Sequence, residues 1–489
     1  MVVAPPASVL AELARQLVRA LGPDAVLQAP EDVLVYEYDY GLDRHPPELV
    51  VLPRGRDEVV AAVTIAARFG MPIIPRGAGT GISGGAVPIQ GGLVIALSRM
   101  NRILEIDADN LTALVEPGVV NLELSKAAEP YGLYFAPDPS SQKASTIGGN
   151  IANNAGGPHC LAYGVTANHV LGVEVVLADG TVLWCESSAR ERPGYDLSGL
   201  VVGAEGTVGV VTRALVRLLR KPEAVQTFLA IFNSVDDASA ATSGIIAAGI
   251  IPAALEMMDQ LTMRSVEAAF HAGYPADAGA VLLIELEGLA EELEALAPQV
   301  EAICAANGAR ELRVARTEHE RALLWAGRKG AASAMGRVAP NYYLHDAVVA
   351  RSKLPRVMRR VLEIGAKYSL PVANVFHAGD GNLHPMLLFD VKEPGVLERV
   401  LRCGREMLRM CVEEGGAISG EHGIGVEKRD FMSWYFSDAD LGVQARVRRA
   451  FDPQERMNPA KVIPMPTSCG DTFARPRAAV VPTSADLWV

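Results

Sequence analysis

Three segments crowded with glycine and other small residues lie between positions 75 and 212, more than ordinary turns require. The first is Pro75-Arg76-Gly77-Ala78-Gly79-Thr80-Gly81-Ile82-Ser83-Gly84-Gly85. The second runs from Pro137-Asp138-Pro139-Ser140-Ser141 to Ser145-Thr146-Ile147-Gly148-Gly149-Asn150-Ile151-Ala152-Asn153-Asn154-Ala155-Gly156-Gly157. The third is Gly203-Ala204-Glu205-Gly206-Thr207-Val208-Gly209-Val210-Val211-Thr212. Without a Cβ, a glycine-rich backbone can crowd its N–H groups around an anion. The first segment also contains GxGxxG at Gly79, Gly81 and Gly84, a pattern that in a Rossmann unit opens a helix. Here Pro88, Gly91 and Gly92 follow, and the next regular element is the β-type run LVIAL, so the Rossmann reading fails on context. One such loop would suit a tight turn equally well. Three together fit an extended dinucleotide lying across several connections.

The rest of the chain bounds what can surround that ligand. At 489 residues, 49% of them apolar, it should form about three domains or two large ones. A net charge of −12 gives no basic footprint for nucleic acid. The six cysteines, at 160, 185, 304, 403, 411 and 469, form no CxxC pair, so neither an iron–sulfur cluster nor a zinc knuckle is expected on this chain. That usage fits a reducing cytoplasm. Residues 8–20 read as an amphipathic helix rather than a signal peptide. No uncharged apolar run approaches the ~18 residues of a membrane span, so any membrane contact is expected through partners.

Hydrophobic periodicity predicts a strand at PPELVVLP, a helix over RDEVVAAVTIAARFG and a strand at MPIIP. Further β-type runs, GGLVIAL, LTALVEPGV and GVEVVLADGTVL, extend this body to about residue 221. Beyond it, TFLAIFNS, DASAATSGIIAAGI, AVLLIELEG and AEELEALAPQVEAICAANG read as a strand–helix–strand–helix module. Residues 355–370 and 397–414 read as helices, with the strand VANVFH between them. The predicted division is a helical segment at 1–45, a cofactor domain at 46–221, a second domain at 222–464, and a poorly ordered Pro/Ala/Thr/Ser-rich tail at 465–489.

The second domain carries the clearest chemistry. In VANVFHAGDGNLHPMLLFD, the turn residues Ala378-Gly379-Asp380-Gly381-Asn382 fold His377 back towards His384. Downstream, Ser419-Gly420-Glu421-His422-Gly423 puts a carboxylate and an imidazole side by side in a flexible loop. Two imidazoles and a carboxylate are a common set for a catalytic divalent metal, and Zn, Mn and Fe all tolerate it. Asp380 is expected to shape the turn rather than to bind metal.

The order PRGAGTGISGG, PDPSS…TIGGNIANNAGG, VGAEGTVGVVT resembles the FAD-binding domain of the p-cresol methylhydroxylase / vanillyl-alcohol oxidase superfamily. The resemblance implies an α+β chain: a two-part FAD-binding domain without a Rossmann fold, plus a C-terminal α/β substrate domain with an antiparallel sheet. Carried over residue by residue, it implies that Pro75, Arg76, Gly77, Ala78, Gly79, Thr80, Gly81, Ser83 and Gly84 hold the pyrophosphate. Pro137, Asp138, Ser141, Thr146, Gly149, Asn150, Ala152, Asn153 and Gly156 would line the rest of the FAD, with Glu205, Gly206 and Val211 from the third segment. Residues 76–86 contain no His or Cys, so the FAD is expected to be non-covalent, with His159 and Cys160 packing beside it.

HAGDGNLH and SGEHGIG are similar to the C-terminal domain of FAD-linked 2-hydroxy acid dehydrogenases. WAGRKGAASAMGRVAPNYYLHD (325–346) and FDPQERMNPAKVIP (451–464) are most similar to the flavoprotein subunit of bacterial glycolate oxidase. This resemblance implies His377, His384 and Glu421 as metal ligands, His422 as catalytic base, Arg328 as the clamp on the substrate carboxylate, and Asn458 near the flavin. Relatives that take dicarboxylic hydroxy acids carry polar side chains where this chain has Ala332 and Met386, so a small substrate is expected. Glycolate comes first and D-lactate second, with a non-catalytic flavin relay subunit as the reading from another class. An iron–sulfur electron-transfer subunit and a second flavin subunit are the implied partners.

Overall fold

The computed structural model describes residues 6–186 and 194–464; the predicted tail and Cys469 lie outside them. The amphipathic segment forms the helix Ala7–Leu21, which buries Leu13, Ala14, Leu17 and Leu21 at three- and four-residue spacing. That face packs on the helix Arg56–Arg68. Beneath them lies a four-stranded sheet in the order Val26–Leu27, Leu49–Val51, Leu93–Ala96, Ile73–Arg76. Its last three strands are parallel, which accounts for their nearly uninterrupted apolar runs. The first glycine-rich loop leaves the carboxyl end of Ile73–Arg76 and returns to begin Leu93–Ala96.

A second sheet is wholly antiparallel, in the order Ile103–Asp107, Thr112–Val115, Val210–Arg217, Val170–Val176, Val182–Glu186. The second and third glycine-rich loops occupy connections into this sheet, the third ending directly at Val210. The two sheets therefore present all three loops to one cavity.

The remaining body is built on an antiparallel sheet running Ala309–Val314, Ala224–Phe232, Ala280–Gly288, Ala254–Asp259, Val372–His377, Asn382–Phe389, Asn341–Leu344, with Ala347–Val348 also paired to Asn382–Phe389. Side chains alternate across a strand. Phe228, Leu255, Met257, Ile284, Phe376 and Leu387 thus face the helices Val235–Ala247, Ala290–Ala306, Leu354–Lys367 and Val396–Glu413 in one core. The opposite face carries Leu229, Met258, Val375 and Met386. By the same alternation it also carries Glu256, Glu285, His377 and His384, and this face turns towards the cavity.

The module after residue 222 differs from the sequence reading. Between the two expected strands lie a further strand, Ala254–Asp259, and a helix, Gln260–Phe270. The run Ala-Leu-Glu-Met-Met has little intrinsic β preference; it is extended because it pairs on both sides, with Ala280–Gly288 and with Val372–His377. Asp259 then caps the helix, its side chain accepting from Thr262 N at 2.9 Å. Among the described residues no helix is long and apolar enough to cross a membrane.

Candidate active site

The three loops and the polar face of the large sheet enclose a cavity of about 480 Å³. Every residue assigned above to the cofactor lines it except Gly84, Pro137, Asp138 and Asn458. The loops pack closely where glycine permits: a Cβ on Gly77 would lie 2.6 Å from Thr146 Oγ1. Asp39, Ser83, Ser145 and Asn150 face this cavity, and each has a buried polar atom without a protein partner. Buried polar groups are rarely left unpaired, so this lining fits a large polar ligand such as FAD. Arg76 adds a buried guanidinium to the wall.

The four outliers have other work. Gly84 abuts Val426, and the Pro137 carbonyl accepts from Asn121 Nδ2 at 2.8 Å. Asp138 turns to His159 and Lys329 instead. Asn458 donates from Nδ2 to the carbonyls of Gly85 (2.8 Å) and Glu205 (2.6 Å), bracing the first and third loops from below. Lys461 joins that brace, with Nζ 2.6 Å from the Val87 carbonyl; burial pushes its pKa down to about 7.

At the far end of the cavity His377, His384 and Glu421 meet. The hairpin pairs Val375 with His384 and His377 with Asn382, so the two imidazoles share a face with ring centroids 5.1 Å apart. Glu421 Oε1 lies 3.4 Å from His377 Nε2 and 3.0 Å from His384 Nε2. Both ring nitrogens of His384 are buried without a hydrogen-bond partner. Two imidazole nitrogens converging within 3.4 Å of one buried carboxylate oxygen fit a divalent cation. His422 stacks on His384 at 4.9 Å, with Nε2 3.4 Å from the same Glu421 oxygen. Burial disfavours the His422 cation, but the carboxylates of Asp346 and Glu421 outweigh it and raise the pKa. Arg328 lines the same end, its Nε buried and unpartnered. Ala332, Leu344 and Val375 supply an apolar wall. Met386 does not line the cavity; it lies fully buried, paired in register with Leu344 on one side and Ala373 on the other.

The loop carrying Glu421 and His422 is gripped from both sides. Asp346 Oδ2 accepts from Ser419 Oγ (2.6 Å), from the backbone of Gly420 (2.9 Å) and His422 (3.2 Å), and from Lys428 Nζ (3.0 Å). Glu205 accepts from Ile424 N (2.7 Å) and Gly425 N (2.8 Å); burial pushes its carboxyl up to about 7. Asn153 Nδ2 donates to the His422 carbonyl at 3.0 Å. Glu205 and Asn153 therefore tie the second and third glycine-rich loops to the candidate metal loop as well as lining the cavity. A Cβ on Gly156 would come within 2.8 Å of both Cys160 Sγ and Glu421 Oε2.

His159 is committed elsewhere. Its Nδ1 pairs with Asp138 (2.9 Å), its Nε2 with Glu285 (3.3 Å), and its ring stacks on Trp325 at 5.3 Å. Burial opposes its charge, yet Asp138 and Glu285 raise its pKa to about 10; against burial, His159 and Lys329 hold Asp138 down to about 2. A raised histidine pKa stabilises the fold fully below its unfolded value and loses that effect as pH rises through about 10. The melting-temperature gap between wild type and His159→Phe should be widest near pH 5 to 6.5, about where both bridge partners are charged even when unfolded or nearly so. It should narrow towards pH 10, and a gap flat across that range would remove charge from the bridge.

Residues 47–186 match a family model described as an FAD binding domain, and residues 221–462 one described as the C-terminal domain of FAD linked oxidases. The glycolate oxidase subunit GlcD of Escherichia coli (strain K12) is 46% identical over 448 residues, covering 91% of this chain and 90% of that one. The chain belongs to the FAD-linked oxidase family. The glycolate oxidase subunit GlcD of Bacillus subtilis (strain 168) is 42% identical over 453 residues, covering 92% and 96%. The solved structure of p-cresol methylhydroxylase with substrate bound matches at a TM-score of 0.82 and 18% identity, over 94% of this chain and 98% of that one. That likeness establishes the fold, two joined bodies of helices and largely antiparallel sheets.

Several residues of this FAD-linked oxidase site carried no motif signal. Asp39 and Tyr40 precede the first glycine-rich loop in an irregular segment. Asp346 and Lys428 are single charged residues whose burial, both at 1% or less, is what sets them apart. Asp346 closes the 325–346 segment that carries the resemblance, which gave it no role of its own.

Proposed function

We propose that this chain oxidises a small 2-hydroxy acid to the 2-oxo acid, with glycolate the first candidate and D-lactate the second. The observation that carries this is the opening of the His377/His384/Glu421 cluster, with Arg328 beside it, into the same cavity as the glycine-rich loops. FAD bound along the glycine-rich loops would supply a hydride acceptor, and a divalent cation, Zn, Mn or Fe, would supply Lewis-acid chemistry at the hydroxyl. His377, His384 and Glu421 would hold the cation. His422, stacked on His384 at the same end of the cavity, would take the hydroxyl proton at Nε2. Arg328 grips the carboxylate and so fixes which carbon faces the flavin. The wall of Ala332, Leu344 and Val375 is uncharged, and Lys329, the second cation in the lining beside Arg328, is paired with Asp138 at 3.0 Å, which supports an acid without a second carboxylate.

The name of the relatives, a glycolate oxidase subunit, supports a place in a multi-subunit enzyme. The sequence has no CxxC pair, and on the resemblance to the glycolate oxidase flavoprotein subunit we infer that electrons pass onward to a partner bearing an iron–sulfur cluster, with a second flavin subunit in the assembly. Anaerobic mixing with glycolate, D-lactate, L-lactate and D-2-hydroxyglutarate tests the substrate directly. Glycolate should bleach the flavin fastest and D-2-hydroxyglutarate slowest. Equal bleaching by the dicarboxylate would overturn the small-substrate reading, and no bleaching by any of the four would favour a relay subunit.

A further inference from the structure

Glu256 belongs to no motif and sits on the strand that the sequence did not announce. It is 1% exposed. Strand pairing sets it opposite His377, on the cavity side of the sheet. Its two oxygens lie 2.8 and 2.9 Å from His377 Nδ1, and Oε2 also pairs with Arg328 Nη2. Arg328 Nη2 in turn lies 3.5 Å from His377 Nδ1, so the three groups form one compact unit.

We propose that Glu256 is a positioning residue shared by two sites: it orients the metal-ligating ring of His377 and tethers the guanidinium that grips the substrate carboxylate. This rests on the function proposed above. An ionised carboxylate can only accept, so His377 must carry its proton on Nδ1. That leaves a lone pair on Nε2, the atom that faces Glu421 and His384. Partners of this kind fix tautomer and ring plane in metal sites. On the other side, Arg328 is held by one edge at Nη2, while its buried Nε has no protein partner and remains for a ligand. Because a single carboxylate anchors both groups, losing it should weaken cation and substrate together.

Glu256→Gln tests this with little change of shape. Its amide nitrogen cannot accept, so it cannot serve His377 and Arg328 as the carboxylate does. Two readouts are needed: Zn²⁺ affinity of the FAD-loaded chain by equilibrium dialysis without substrate, and KM and kcat for glycolate at saturating Zn²⁺. FAD content should match wild type. Zn²⁺ affinity should fall roughly 10- to 100-fold, and KM should rise even with Zn²⁺ saturating. Glu256→Asp, which keeps the charge, should recover part of both, and is read by the same criteria if the Gln variant does not fold. Arg328→Lys should raise KM with Zn²⁺ affinity unchanged. Wild-type Zn²⁺ affinity in Glu256→Gln, or weakened affinity at wild-type KM, would overturn the shared role. Failure of the underlying function shows earlier and separately, as a wild-type chain that takes up no Zn²⁺ or whose flavin glycolate does not bleach.

Discussion

His384→Ala should leave the chain folded, yellow with FAD, and almost without turnover. The ring is buried with Nε2 3.0 Å from Glu421 and no other polar partner, so its removal costs one contact to a carboxylate that His377 still faces. What it takes away is one of the three proposed ligands, and a cation held by His377 and Glu421 alone would bind far more weakly. Lewis-acid activation is worth several kcal/mol, so kcat/KM should fall on the order of 10³-fold. Metal content after dialysis should drop in parallel. The flavin loops lie at the other end of the cavity, so FAD stoichiometry and the visible spectrum should match wild type. A fully active, metal-free variant would remove the cation from the reaction.

Much of this arrangement is legible in the amino-acid sequence. The three glycine-rich loops mark the FAD-binding body because close backbone approach needs glycine, and Gly77 against Thr146 shows the constraint directly. The hairpin at 372–389 is legible from its turn residues, and with it the meeting of His377 and His384. What escapes is whatever depends on tertiary pairing alone. Ala254–Asp259 has no β-branched residue and is extended only because two neighbouring strands hold it. Glu256 is invisible for the same reason, since a glutamate in an unassigned segment carries no spacing signal.

The loop residues show a second limit. Resemblance assigned Glu205 and Asn153 to the cofactor. Both line the cavity, yet their hydrogen bonds go to the loop bearing His422. A motif reports that a residue type is needed at a place, not which neighbour it serves. Asp346, to which the resemblance gave no role, grips the same loop from the opposite side through a side-chain oxygen saturated by donors. Flavin body and substrate body thus converge on Ser419–Gly425, and that stretch of chain should tolerate substitution poorly for reasons local sequence does not display.

His422→Asn separates the base from the metal. Asparagine keeps a polar side chain of modest size and leaves the backbone N–H of residue 422 free to donate to Asp346, as it does at 3.2 Å in the native loop. Glu421 should therefore stay in place, and metal and FAD contents should equal those of wild type. The amide cannot take a proton near neutral pH, so the hydroxyl would have to lose its proton to water. A positioned general base contributes roughly 10²- to 10⁴-fold, and kcat should fall within that range. Protonation silences the imidazole, so wild-type kcat should decline in acid. That limb should flatten in the variant, because the group whose protonation produced it is gone. A variant that kept the wild-type rate and the same acid limb would place the base on another residue. Loss of metal along with rate would mean instead that His422 helps hold the cation.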